Sequence, residues 1–135
     1  TSKNLDISYQ ISDLLNLPYK DETFDFILAG HSIEYTGNNI EKVVSELHRV
    51  LLKDKLIYVR ALSKKHPFFK NPENIYGNSA VGYAIKRNIP VKYFSEQEIK
   101  NLFKDFKIEE IRHIEHEPSK RTGVSLNEWV LLAKK

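Results

Sequence analysis

The chain has 135 residues and a formal net charge of +3 at pH 7. Hydrophobic residues make up 41% of it and charged residues 29%, a composition and length that are ordinary for one globular domain. It contains no cysteine, which excludes disulfides, a thiolate nucleophile and zinc–thiolate sites. No apolar run approaches the roughly 20 residues needed to cross a membrane, and no signal peptide is visible. We therefore expect a cytoplasmic protein without membrane contact.

The positive charge is scattered along the chain. Lysines between residues 53 and 107 are interleaved with aspartate and glutamate and form no stripe. A solvated surface explains this pattern better than a nucleic-acid site does. The chain has no methionine and begins with threonine, so we expect a processed N-terminus or a piece of a longer protein. The sequence leaves the oligomeric state unknown.

Two strands are predicted near the N-terminus. Residues 5–11 alternate apolar and polar side chains, as a strand near a sheet edge does, and Asp13 follows the carboxyl end of this strand. Residues 24–29 (FDFILA) are apolar at nearly every position, which is typical of a parallel strand buried on both faces. Small or polar residues 30–32 follow. Because ligands bind at the carboxyl ends of strands in open α/β sheets, we expect Asp13 and residues 30–32 on one rim.

A helix is predicted to begin near Asn38, because Asn38 and the glutamate three residues later have the spacing of a capping box. Its apolar stripe consists of Ile40, Val43, Val44, Leu47, Val50 and Leu51. His48 and Arg49 lie off this stripe and are expected in solvent. The helix should end near residues 53–54, because residues 56–61 (LIYVRA) have the composition of another buried strand.

The second half of the chain is less regular. Residues 62–94 have no sustained period and contain several prolines, glycines and aromatics, so we expect a substrate-side insertion or lid there. Ser95 opens a second capping-box pattern and predicts a helix over residues 96–105. Residues 108–116 and 128–133 are predicted strands joined by a polar turn.

His113 and His116, with glutamates beside them, are the pattern closest to a metal site. Residues three apart on a strand point to opposite faces of the sheet. We therefore assign no metal site.

A run of residues ahead of the second strand and within it matches a known pattern. The run consists of Asp13, Leu17, Pro18, Tyr19, Asp21, Phe24, Asp25 and Ile27. Ile33-Glu34-Tyr35 follows, and then Glu46, Arg49, Val50 and Leu51. This order resembles the class I S-adenosylmethionine-dependent methyltransferases of the type 11-like group, strongly over residues 13–60 and loosely beyond.

The resemblance implies an α/β fold with an incomplete Rossmann-like methyltransferase sheet. Parallel strands would be followed by a C-terminal antiparallel hairpin, with helices on the faces. Residues 24–29 should pair in parallel with residues 56–61, and residues 128–133 should lie antiparallel between residues 56–61 and 108–116. Residues 5–11 should not pair with residues 24–29.

The resemblance also implies an enzyme that uses S-adenosyl-L-methionine to methylate a small-molecule acceptor. Asp13 would accept a hydrogen bond from the adenine amino group, and the Leu14 N–H would meet a ring nitrogen. Ala29 and Gly30 would also contact the cofactor. His31 and Tyr35 are the candidates for steering or deprotonating the acceptor. Asp13 has a second interpretation, as a cap of the short turn that follows it.

One part of the family pattern is missing. The chain has no strand with a Gly-rich turn for the methionine and ribose, and no second strand that ends in an acid for the ribose hydroxyls. We therefore expect residues 1–135 to be a single domain that forms the C-terminal part of a methyltransferase domain, with the missing motif before Thr1. The alternative is a degenerate methyltransferase-like interaction module without catalysis. A nicotinamide-dependent dehydrogenase lacks the same fingerprint and has no motif in its favour.

Overall fold

The computed structural model describes residues 4–77 and 82–135. Within these residues, the strands and α-helices in chain order are β1 (Phe24–Gly30), α1 (Ile40–Val50), β2 (Leu51–Leu62), α2 (Pro67–Lys70), β3 (Tyr83–Lys86), β4 (Ile89–Lys92), α3 (Glu96–Leu102), β5 (Lys107–Glu115) and β6 (Asn127–Lys134). Short 3-10 helices span Ile33–Tyr35, Gly37–Asn39 and Pro72–Asn74.

The main sheet has four strands in the order β1-β2-β6-β5. β1 and β2 are parallel, whereas β6 runs antiparallel to both β2 and β5. These pairings confirm the predicted parallel pair and the predicted C-terminal hairpin. The arrangement places the carboxyl ends of β1 and β2 beside the amino end of β6, where Leu62 is paired with Glu128.

Helices α1 and α3 pack against one face of this sheet. The buried side chains of α1 are those of Ile40, Val43, Val44, Leu47 and Val50, as the helical period predicts. They share one apolar cluster with Ile57 and Val59 of β2, Leu131 of β6 and Ile99 of α3. Each of these four side chains is buried, so the helices and the sheet depend on one core.

The predicted strand over residues 5–11 is wrong. Residues 4–12 have no regular secondary structure, and Leu5, Ile7, Tyr9 and Ile11 are all exposed. A strand requires backbone partners, and none of the described strands lies beside this segment. As expected, it also does not pair with β1.

The prediction that β1 is buried on both faces is also wrong. Ala29 is buried, but Phe26 and Leu28 on the opposite face are 50% and 65% exposed. β1 is an edge strand of the described sheet. Its apolar composition fits a strand with two covered faces, but the described helices α1 and α3 share the core of one face only.

Both ends of α1 differ from their predictions. The helix begins at Ile40, and its N-cap residue Asn39 makes no side-chain capping bond, so the expected Asn38 capping box is absent. The helix ends at Val50 and β2 starts directly after it. Asp54, where the helix was expected to end, lies in the strand at φ 64°, a left-handed conformation that aspartate tolerates better than most residues.

Arg49 is not a solvated side chain. Its guanidinium donates hydrogen bonds to the backbone oxygens of Leu17 (3.1 Å) and Tyr19 (2.7 Å) and to the side chain of Asp21 (2.9 Å). It also binds Glu46, whose carboxylate accepts the Leu17 N–H, and this guanidinium lowers the pKa of Glu46 to about 2. Arg49 therefore ties the loop before β1 to α1, which an apolar period cannot reveal.

Residues 62–94 are more regular than predicted. β3 and β4 form an antiparallel hairpin whose turn residues Arg87 and Asn88 have φ values of 52° and 64°. Two consecutive left-handed residues are the geometry of a tight hairpin turn, but Arg-Asn lacks the glycine that usually signals one. The hairpin has its own small core with Leu62, and β4 contacts the 3-10 helix Ile33–Tyr35. Residues 78–81 of this stretch lie outside the described residues.

The capping box at α3 is confirmed and leads to the first prediction. Ser95 Oγ accepts the Glu98 N–H (3.2 Å), and the Glu98 carboxylate accepts the Ser95 N–H (2.8 Å). Ser95→Ala should lower the free energy of unfolding by about 0.5–2 kcal/mol, because a backbone N–H loses its acceptor. Asn39→Ala is the matched control, because Asn39 makes no such bond. Denaturant unfolding of the protein that contains this chain measures both values, and equal losses would contradict the capping role.

Candidate active site at the carboxyl end of the parallel strands

Three neighbouring strands bring charged side chains to one rim. β1 ends at Gly30, and His31 follows with its N–H donated to the Arg60 oxygen of β2 (2.9 Å). Glu128 lies near the start of β6 and pairs with the last residue of β2. His31 has φ 49°, a left-handed conformation rarely adopted by residues other than glycine. Such strain persists only where surrounding contacts hold it.

The side chains of four residues form a hydrogen-bonded network, called here the His31 network: His31, Glu34, Arg60 and Glu128. His31 Nδ1 lies 2.9 Å from Glu34 Oε1, and His31 Nε2 lies 2.7 Å from Glu128 Oε2. Arg60 Nε donates to Glu128 Oε1 (2.7 Å), and Arg60 Nη2 donates to Glu128 Oε2 (3.0 Å). Glu128 is thus contacted by both Arg60 and His31.

Both imidazole nitrogens of His31 face carboxylate oxygens, so an ionised pair of carboxylates requires an N–H on each nitrogen. The hydrogen bond to Glu34 contributes most to raising the pKa of His31, against the effect of burial, and Glu128 adds to it. Burial alone would raise the pKa of Glu128, but hydrogen bonds from Arg60 and His31 outweigh it and lower that pKa. The raised pKa of His31 and the lowered pKa of Glu128 both favour the charged forms of this pair.

The two carboxylates are almost completely buried. Glu34 is 0% exposed and Glu128 is 1% exposed. Buried carboxylates require such partners: Arg60 and His31 bind Glu128, and His116 Nε2 lies 3.5 Å from Glu128 Oε1. Glu34 Oε2 is nevertheless buried and has no hydrogen-bond partner among residues 4–77 and 82–135.

Two tyrosines, Tyr35 and Tyr93, lie within electrostatic range of Glu34. Tyr93 is buried and stacks on Phe69 at a centroid distance of 5.2 Å, and the His66 ring lies 5.8 Å from it. Burial raises the pKa of Tyr93, and the nearby Tyr35 and Glu34 raise it further. Tyr35 is partly exposed, and burial and the Glu34 charge raise its pKa. The charge of Glu34 thus acts on two neighbouring tyrosines.

The predicted cofactor residues lie in two places. Asp13 is exposed, and its Oδ1 accepts the Leu15 N–H (2.9 Å), so it caps its own turn. The Leu14 N–H donates to no other described residue, and the Leu14 side chain packs on the core. No hydrogen bond or ion pair within the described chain connects Asp13 to the His31 network.

Ala29 and Gly30 lie at the end of β1, directly before His31. Ala29 is buried and pairs with Val59, whereas Gly30 is exposed. A Cβ added at Gly30 would meet nothing within 4 Å. The backbone is therefore open to a ligand at this point, immediately beside the His31 network.

The sequence pattern names His31 and Tyr35 as candidates but does not reveal the residues that contact His31. Glu34 belongs to the family-like motif, and Arg60 and Glu128 lie in predicted strands. The available signal was a charged residue inside LIYVRA and another at the start of EWVLLA. Charges in strands that are otherwise apolar are rare unless they are paired.

A separate groove of about 730 Å³ lies between α1, the β3–β4 hairpin and α3. Residues from all three elements line it, including His48, Tyr83, Lys92 and Glu98. No member of the His31 network lines it. The groove is therefore a separate feature from the His31 network at the rim.

The network predicts a pH-dependent stability. Because the pKa of His31 is raised above its unfolded value of about 6.5, its stabilising effect is complete below that pH and is lost as the pH rises through the folded pKa. The Tm difference between wild type and His31→Asn should therefore shrink as the pH is raised. Asparagine is the chosen substitution because it tolerates the left-handed conformation.

His48→Asn is the control for this experiment, because His48 packs on Phe106 outside the network. Thermal unfolding of the protein that contains this chain, followed by circular dichroism across the pH range, gives both differences. A His31→Asn difference that does not vary with pH would contradict the imidazolium assignment.

Known proteins share both sequence and fold with this chain. Residues 1–59 match the family model described as a methyltransferase domain. Norajmaline N-methyltransferase of Rauvolfia serpentina is 46% identical over 44 residues, which are 33% of this chain and 15% of that protein. None of the helices in the described residues is long and apolar enough to span a membrane.

Two solved structures show the likeness of fold. An S-adenosylmethionine-dependent methyltransferase from Methanosarcina mazei has a TM-score of 0.78 at 18% identity, over 93% of this chain and 66% of that one. The 1,6-didemethyltoxoflavin-N1-methyltransferase of Burkholderia thailandensis, solved with 1,6-didemethyltoxoflavin and S-adenosylhomocysteine, has a TM-score of 0.63 at 15% identity, over 92% and 48%. The chain thus spans less than two thirds of each of these relatives. Its first 59 residues are thus similar to the methyltransferase domain model, and its described residues share the fold of these solved methyltransferases.

Proposed function

We propose that the protein containing this chain transfers a methyl group from S-adenosyl-L-methionine to a small-molecule acceptor. The observation that supports this best is the rim at the carboxyl ends of β1 and β2. There an open backbone at Gly30 directly precedes His31, whose ring nitrogens lie within hydrogen-bond distance of two carboxylates. In open α/β sheets this is the edge at which ligands bind.

The residues present fit the adenosine end of the cofactor. Asp13 uses one carboxylate oxygen in its turn, which leaves the other oxygen for the adenine amino group. The Leu14 N–H donates to no other described residue and can meet a ring nitrogen. This hydrogen-bond acceptor and this donor lie side by side and match the amino group and the ring nitrogen on one edge of adenine. Ala29 and Gly30 would line the path toward the reacting end.

The cofactor supplies an activated sulfonium methyl group, so the work of the protein is orientation and exclusion of water. Alignment of reactants alone can lower a barrier by roughly 7–11 kcal/mol. In our proposal Tyr35, with its partly exposed side chain, and His31 orient the acceptor at the rim. Both His31 ring nitrogens are engaged by carboxylates, so we assign His31 to steering the acceptor.

The chain would form the C-terminal part of the methyltransferase domain, with the Gly-rich motif supplied by residues before Thr1. The unpaired edge of β1 and the exposed Phe26 and Leu28 support an adjoining part of the domain. Residues 62–94 would act as the substrate-side lid. The contact of β4 with the 3-10 helix Ile33–Tyr35 supports this location.

One observation favours the alternative of an interaction module without catalysis. Leu5, Ile7, Tyr9 and Ile11 form an exposed apolar series that another chain could cover. The two functions differ in one measurable property, because an interaction module would not bind S-adenosylmethionine.

The adenine contact leads to the third prediction. A charge-assisted hydrogen bond contributes about 1.5–3 kcal/mol, so Asp13→Ala should weaken S-adenosylmethionine binding roughly ten- to a hundred-fold. Asp13→Asn should cost less, because an amide oxygen can still accept a hydrogen bond. Calorimetric titration of the full-length protein measures all three affinities.

Asp6→Ala is the control, because it removes an exposed carboxylate from the same segment. It should bind the cofactor as wild type does. Equal affinity in wild type and both Asp13 variants would reduce Asp13 to a turn cap, and no cofactor binding by wild type would favour the interaction module.

A further inference from the structure

The short helix α2 is capped by the imidazole ring of a histidine. The helix begins at Pro67, and Nδ1 of the preceding His66 accepts the Phe68 N–H at 3.1 Å. The His66 backbone oxygen accepts the N–H groups of Phe69 (3.0 Å) and Lys70 (3.1 Å). A ring nitrogen that accepts a hydrogen bond carries a lone pair, so the neutral ring of His66 has its proton on Nε2.

The same cap geometry occurs a second time, directly after α2. Asn71 precedes Pro72, and Asn71 Oδ1 accepts the Glu73 N–H, also at 3.1 Å. His66 and Asn71 both have an extended backbone, with φ values of −62° and −79°. Asparagine is among the preferred N-cap residues, whereas histidine is not. The two caps differ in one property, because the imidazole loses its acceptor when it gains a proton and the amide does not titrate.

The surroundings of His66 disfavour this protonation. His66 is 9% exposed, and its ring lies 5.8 Å from the ring of Tyr93, on which Phe69 stacks. Burial lowers the pKa of His66, and the charges of Lys86 and His31 lower it further. Among the described residues, the titratable groups that face His66 from other elements are thus Tyr93 of β4, Lys86 of β3 and His31 at the rim.

A proton on Nδ1 would replace the acceptor of the cap by a donor. The Phe68 N–H would then face another N–H, and a cation would lie beside the apolar cluster that contains Phe69 and Tyr93. Both effects act against the first turn of α2. Since β4, which carries Ile89–Lys92 and leads into Tyr93, contacts the 3-10 helix Ile33–Tyr35, this turn is linked by packing to the rim.

We propose that His66 is a pH-sensitive latch of the segment between β2 and β3. The neutral ring holds the first turn of α2 closed, and the protonated ring releases this turn and with it the contact of Phe69 with Tyr93. The latch requires neither cofactor nor acceptor. It therefore goes beyond the proposed function and does not depend on it.

The direction of the pH effect follows from the contacts of His66. Because its pKa is lowered below the unfolded value of about 6.5, the stabilising effect of the cap is complete above that pH. The effect is lost as the pH falls from there through the folded pKa. The direction is opposite to that expected for His31, whose stabilising effect is lost as the pH rises.

An NMR titration of the protein that contains this chain tests the latch. The nitrogen chemical shifts of the His66 ring should show the Nε2–H tautomer at neutral pH. The protection of the Phe68 amide, corrected for the intrinsic pH dependence of hydrogen exchange, should fall roughly two- to thirty-fold as His66 is protonated, as for the loss of an N-cap. The Glu73 amide is the internal control, because its acceptor on Asn71 does not titrate.

Three variants complete the experiment. His66→Asn replaces the titratable cap by the one that Asn71 already forms, so Phe68 should stay protected at low pH. His66→Ala removes the acceptor and should leave Phe68 weakly protected at every pH. His48→Asn is the matched control, because His48 packs on Phe106, and it should keep the wild-type pH dependence.

Two results would overturn the latch. The first is an Nδ1–H tautomer of neutral His66, or a Phe68 protection that does not follow the titration of the ring. The second is a pH dependence of Phe68 that persists in His66→Asn, because another group would then open α2.

Discussion

The rim of this sheet depends on the compensation of two buried carboxylates. Glu34 and Glu128 would each be strongly destabilising if they were ionised without partners. Arg60 and the His31 imidazole face these acids, and His31 has a left-handed backbone with its ring between the two carboxylates. The network connects β1, β2, β6 and the 3-10 helix Ile33–Tyr35, so the charge balance also fixes the geometry of the candidate site.

The apolar core explains why these strands meet as they do. Side chains that alternate along β1, β2 and β6 pack with α1 and α3 on one face of the sheet, and Ile57, Val59 and Leu131 are completely buried. This packing sets the register in which Leu62 faces Glu128. A shift by one residue would turn the apolar side chains away from the helices, and it would also separate Arg60 from its acid.

A second polar cluster holds the loop before β1 in place. Glu46 and Arg49 of α1 bind backbone groups of Leu17 and Tyr19, while the neighbouring leucines pack on the core. The turn that begins at Asp13 is thus attached to the same helix that packs on β1. Polar contacts at both ends of β1 hold the loops, and apolar contacts hold the strand between them.

The sequence by itself determined the order and type of most elements. The apolar period of α1, the capping box at Ser95 and the composition of β2 and β6 are local signals, and the ordered run from Asp13 to Ile27 indicated the family. These signals also identified His31 and Tyr35 as residues of the rim, because a residue that follows a parallel strand lies at its carboxyl end.

Only the tertiary structure shows which residues that are distant in sequence contact each other. Residues 5–11 have the pattern of a strand, but none of the described strands pairs with them. Arg49 lies off the apolar face of its helix, but it binds a loop about 30 residues away. His31 and Glu128 are 97 residues apart in sequence and 2.7 Å apart in space. The local period of a sequence predicts which face of a helix or strand is apolar. The pairing of distant charges depends instead on the order and register of the strands in the sheet, and these are determined by contacts among many elements.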